Sequence, residues 1–157
     1  MSYSPSRRRT LLATAAVFSA AGCSSSGPSA EETASGAPSV SQRVRARAVQ
    51  DSQGLVKQYD AVLAARPALT GLLAPLRGEV VRHVGAFGGT VSPAPVPSAA
   101  APLDDKSALT QLASAERTLA DRRAGELLTV PGELARLLAS VAAAGAVHAY
   151  VLAEGAR

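Results

Sequence analysis

The run Pro131-Gly132-Glu133-Leu134-Ala135-Arg136-Leu137-Leu138-Ala139-Ser140-Val141-Ala142-Ala143-Ala144-Gly145-Ala146-Val147-His148-Ala149-Tyr150-Val151-Leu152 decides the fold class. Leu134, Leu137, Leu138, Val141, Gly145, His148 and Leu152 recur at steps of three and four, the period of one helix face, and Pro131 stands where a first-turn proline starts a helix. The stretch from Leu134 to Ala153 is apolar enough to raise a membrane span. Arg136, Ser140 and His148 interrupt it, alanine contributes little to insertion, and three other amphipathic segments would lose their partner, so a bundle helix is the expected reading.

Those three segments lie upstream. Ser39-Val40-Ser41-Gln42 fits a capping box, after which Val44, Ala48, Leu55, Tyr59 and Val62 mark a first helix over about residues 41–65. Gly54 weakens its middle without ending it. A second carries Leu69, Leu72, Leu73, Leu76, Val80, Val84 and Phe87 between Pro67 and Gly88-Gly89; Pro75 inside it predicts either a kink or a short helical corner over 67–74. Thr90 to Leu103, with Pro93, Pro95, Pro97 and Pro102, reads as a semi-extended connection. Asp104 caps a third helix bearing Leu109, Leu112, Glu116, Leu119 or Ala120, Arg123 and Leu127. Nothing alternates with the period of a strand. The expectation is all-α: an antiparallel four-helix bundle over 40–157, built from two hairpins and one longer crossing.

Ahead of the bundle the chain changes character. Arg7, Arg8 and Arg9 precede an apolar run from Leu11 to Gly22, in the length range of an export signal and too short to span a bilayer. Ser6-Arg7-Arg8-Arg9-Thr10-Leu11 resembles the twin-arginine export signal, with Arg7, Arg8 and Leu11 in its fixed positions. Three arginines would also serve the general secretory route, and the spacing to Leu11 favours the former.

Ala20-Ala21-Gly22-Cys23 resembles the lipobox of bacterial lipoproteins, with Ala20 where that pattern usually has Leu. The resemblance implies cleavage before Cys23, acylation of its thiol and amino group, and two-chain anchoring to a membrane. Cys23 is the only cysteine, and lipidation accounts for a lone thiol in an exported chain. Residues 1–22 are thus expected to be a signal peptide and 23–39, rich in Ser, Gly, Pro and Ala, a lipidated tether.

Of 16 basic residues against 12 acidic ones, three lie in the leader, so the mature chain falls from a net charge of +4 to +1. Its aromatics are Tyr59, Phe87 and Tyr150. Neither a basic face nor stacking rings are present for nucleic acid, which is excluded as a partner. No serine has a nucleophile's neighbourhood and no glycine-rich phosphate loop occurs, so no catalytic residue is assigned and the chain is read as a non-enzyme.

Glu79, His83, Glu116 and His148 fall on or beside the apolar stripes. Pairing the helices antiparallel at ~1.5 Å per residue places Glu116 opposite residues near 143 and His83 near the level of His148, so the group converges within roughly two turns. At Leu76-Arg77-Gly78-Glu79-Val80-Val81-Arg82-His83, Ala115-Glu116-Arg117 and Leu137 through Tyr150 the chain resembles the ferritin-like four-helix bundles, especially the small exported ones of high-GC Gram-positive bacteria. Metal-competent members pair a Glu with a Glu-x-x-His in each half of the bundle. The resemblance therefore implies iron or manganese at Glu79, His83, Glu116 and His148. The sequence departs from the pattern: Gly145 stands at the Glu position before His148, Arg82 stands three residues after Glu79, and the first helix has no Glu.

Each polar residue also has a plainer reading. Glu79 and His83 can pair at i, i+4; Glu116 can meet Arg82, Arg117 or another arginine; His148 can sit at the core edge with one ring nitrogen satisfied. The expected function is an anchored, metal-free binding or scaffolding domain, partnered by a cell-envelope protein on the extracytoplasmic face of the cell membrane. A metal-dependent oxidase or metal store is the first alternative. A small-ligand sensor, with a cavity beside Gly145, is the second.

Overall fold

Helix boundaries in the computed structural model, which describes residues 38–92 and 104–157, follow the capping chemistry closely. The four helices are α1 (Val40–Ala65), α2 (Thr70–Ala86), α3 (Asp105–Gly125) and α4 (Gly132–Gly155), and no strand occurs among the described residues. The expectations on Arg7, Arg8, Leu11, Cys23 and the tether, and most of the Pro-rich connection, lie outside the described residues.

The Ser39 capping box forms in full: Ser39 Oγ accepts from the Gln42 amide at 3.1 Å, and Gln42 Oε1 accepts from the Ser39 amide at 2.7 Å. At α3, Asp104 accepts from the Ser107 amide at 2.7 Å. That backbone bond holds the Asp104 carboxyl below its ordinary range. Such caps satisfy amides that the helix itself leaves free and contribute about 1 kcal/mol each.

Pro67 opens a single 3-10 turn, Pro67–Leu69, and α2 then runs unbroken through Pro75. The corner is thus shorter than the sequence suggested. Pro75 deprives only the Gly71 carbonyl of its amide, and both residues are exposed, so that carbonyl is not sealed away from solvent. At the far end of α2 the Gly89 amide bonds Val84 O at 2.9 Å and the Gly88 amide bonds Gly85 O at 2.9 Å. Gly88 has φ +87°, the left-handed conformation this paired closure requires and glycine adopts without penalty. Leu127, expected on the third helix, instead lies in a 3-10 turn, Leu127–Thr129, because α3 ends at Gly125.

α1 packs chiefly on α2, and α3 on α4. The core has two apolar clusters. One joins Leu55, Tyr59 and Val62 of α1 to Leu73, Leu109 and Leu152; the other joins Val44 and Ala48 to Phe87, Leu134 and Leu138. Along α4 the first cluster begins after His148 and the second ends at Val141. Along α1 Ser52 falls between Ala48 and Leu55. Buried polar side chains of α1, α3 and α4 therefore form a layer between two apolar ones.

Candidate functional site

Ser52, Tyr59, Glu116, Arg123 and His148 are buried in this layer, each because it occupies a core position of its helix. A buried polar atom costs free energy unless it is bonded, so the partners decide what the layer can do.

Glu116 is the hub. Its Oε1 accepts from the Tyr59 hydroxyl at 2.9 Å and is bonded to His148 Nδ1 at 2.9 Å. A carboxylate only accepts, so His148 presents Nδ1–H. One oxygen of α3 thereby ties α1 to α4. Burial, reinforced by the Glu116 charge, pushes the Tyr59 phenol above its ordinary value, which keeps it a hydroxyl donor.

His83 extends the group toward solvent. Its ring lies 6.2 Å from that of His148, with 21° between the planes. Burial pushes the His83 imidazole below its ordinary range, helped by the charge of Arg123 and by His148, while Glu116 and Glu79 pull the other way.

Two turns further along α3, Arg123 Nη2 donates to Ser52 Oγ at 2.8 Å, and Ser52 Oγ donates to Ala48 O at 2.8 Å. The guanidinium carbon lies 5.8 Å from the centre of the Phe87 ring. Arg123 Nε is buried without a hydrogen-bond partner. Burial lowers the Arg123 pKa, with Glu116 and Asp51 opposing it.

Gly145 has a steric reason to be glycine. A Cβ there would stand 3.3 Å from Glu116 Oε2 and 3.5 Å from Ala120 Cβ. Glu116 thus occupies the space where the sequence suggested a ligand cavity. The pattern's missing carboxylate on α4 is replaced by room for the carboxylate of α3.

The structure gathers His83, Glu116 and His148, as expected, with Glu116 level with Gly145 and His148 rather than residue 143. Glu79 does not join them. It is half-exposed and paired with Arg82, whose Nε lies 3.2 Å from its Oε2, and this pairing, with smaller help from the His83 and His148 charges, holds its carboxyl below the ordinary range. Glu116 meets Tyr59 and His148 rather than Arg82 or Arg117. Among the described residues no group of three or more His, Cys, Asp or Glu side chains is arranged to hold a metal. The residues present do not fit the two-metal pattern that the resemblance implies: one carboxylate is paired with Arg82 outside the group, and one oxygen of the other is taken by both Tyr59 and His148. Comparison with protein-family models, with curated proteins and with solved structures returned no match to the chain.

Sequence reasoning passed over the Tyr59 hydroxyl, Ser52 and the buried Arg123 as parts of the layer. The signal was present. All three fall on helical stripes, Ser52 between Ala48 and Leu55 at steps of four and three, and a polar side chain in phase with a stripe marks a buried bond to be found.

Proposed function

We propose that the chain is an exported, lipid-anchored, non-catalytic binding or scaffolding domain whose helices form an antiparallel ferritin-like bundle without a metal site. The observation that carries the reading is that Glu116 Oε1 is bonded to both Tyr59 and His148. Its carboxylate is used by Tyr59 and His148, and the adjoining space at Gly145 is filled by Glu116 itself. Polar groups poised for substrate or metal keep lone pairs directed at open space, whereas Glu116 Oε1 fixes α1 against α3 and α4, and Oε2 lies against the space that a Cβ at Gly145 would take. The short connections at 66–69 and 126–131 suit antiparallel neighbours.

The anchor would be Cys23, carried through the export signal of Arg7, Arg8 and Leu11. It would place the bundle at the extracytoplasmic membrane face, where a cell-envelope protein is the expected partner. Membrane fractionation tests this. The native chain is expected in the membrane fraction and Cys23→Ser in the soluble one; retention of the serine variant would overturn the anchor.

A further inference from the structure

Between Arg136 and Glu154, α4 carries no charged residue except buried His148, yet it is only half covered. Its most apolar window has mean hydropathy 1.5 and is 39% buried. The uncovered side presents Val147, 59% exposed, and Tyr150, 62% exposed, with Ala143 and Ser140 on the same face. A soluble helix ordinarily charges its outer face; one that is apolar all round has both sides covered.

The residues of this face are arranged for a particular cover. At 100° per residue, Arg136, Ser140, Ala143, Val147, Tyr150 and Glu154 fall within about 80° of one another, centred opposite the buried stripe. They are also symmetric about the level of Gly145. If a second α4 ran antiparallel across this face with its two-fold axis there, Arg136 would meet Glu154 of the second copy. Ala143 would meet Val147, and Ser140 would meet Tyr150. Each large side chain opposes a small one and each terminal charge opposes its complement, at both ends of the contact. A parallel pairing would instead set Arg136 against Arg136 and Val147 against Val147. Among the described residues Arg136 forms no ion pair, and Glu154 holds only the exposed, terminal Arg157, at 2.9 Å.

We propose that a second copy of this chain covers the outer face of α4, forming a two-fold antiparallel helix pair centred at Gly145 and closed at each end by Arg136 and Glu154. Small residues let the backbones approach closely, and self-complementarity makes the contact isologous, so it closes as a dimer. A membrane surface is the less suitable cover. Interfacial helices carry several bulky anchors with a basic rim, whereas this face sets Val147 and Tyr150 among the small Ser140 and Ala143 and ends in an acid.

Sedimentation equilibrium of the full chain carrying Cys23→Ser, which removes thiol cross-linking and lipid, tests the pairing. A dimer is expected, with Val147→Glu and Arg136→Glu each raising the dissociation constant at least about tenfold. The double reversal Arg136→Glu with Glu154→Arg is expected to restore it. All three positions are on the surface of the single chain, so helicity by circular dichroism should not change. A monomer at every concentration, a dimer indifferent to Arg136→Glu, or no rescue by the double reversal would overturn the proposal. So would Val147-dependent binding to phosphatidylglycerol vesicles by a chain that does not self-associate.

Discussion

Glu116 and Arg123 lie two turns apart on one face of α3, 1% and 4% exposed, and are provided for very differently. Glu116 has two partners on two other helices, both within 2.9 Å. Arg123 has one bonded nitrogen, the face of the Phe87 ring nearby and a buried Nε with no partner. Burial of a charge is therefore not by itself a sign of a site. The carboxylate is a designed junction, while the guanidinium is tolerated because its long stem is apolar and Glu116 supplies opposite charge within reach.

Removing each member of this contrast should give unequal losses. Glu116→Leu leaves the Tyr59 hydroxyl and His148 Nδ1 buried without partners and removes the strongest of the acidic charges that act on Arg123. We expect a loss of about 3–5 kcal/mol in urea unfolding. A loss as small as that of a surface substitution would show that the junction does not hold the helices. Gly145→Val forces branched carbons into the space of Glu116 Oε2 and is expected to cost about 1–3 kcal/mol by the same measurement. Tyr59→Phe removes one of the two donors but leaves His148 in place, for about 1–2 kcal/mol. Arg123→Met keeps the stem, frees Ser52 to retain its bond to Ala48 O and removes an unbonded Nε; it should change stability by less than about 1 kcal/mol. If Arg123→Met proved as costly as Glu116→Leu, the contrast would collapse.

The smallest effect is a pH slope. The His83 imidazole is held below its ordinary 6.5 in the folded chain, so on acidification the unfolded chain takes up its proton first. Stability from this group is complete above pH 6.5 and is lost as pH falls through the lowered folded value. Thermal midpoints measured from pH 7 downward should fall less steeply for His83→Gln than for the native chain.

Much of the architecture was legible because it rests on local chemistry. Ser39 with Gln42, Asp104 with Ser107, Pro131 and Gly88 set helix ends through bonds spanning a few residues, and stripes of Leu and Val set which face is buried. The all-α class followed from them. The convergence of His83, Glu116 and His148 was also legible, since helix rise and short turns fix register to within a few residues. What was not legible was pairing. Whether Glu116 bonds Tyr59 or an arginine, and whether Glu79 turns to His83 or Arg82, depends on side-chain rotamers and on differences of about an ångström between helices. The closeness of Glu116 Oε2 to Gly145 was hidden for the same reason: a missing side chain looks like a gap until its neighbour is placed.

The central claim, that Glu116 is a structural junction and not a metal ligand, is tested most directly by the metal content of the full chain purified without chelators. Iron and manganese well below one per chain, with a thermal midpoint unmoved by adding either ion, is the predicted result. Stoichiometric metal that is lost in His148→Ala would contradict it.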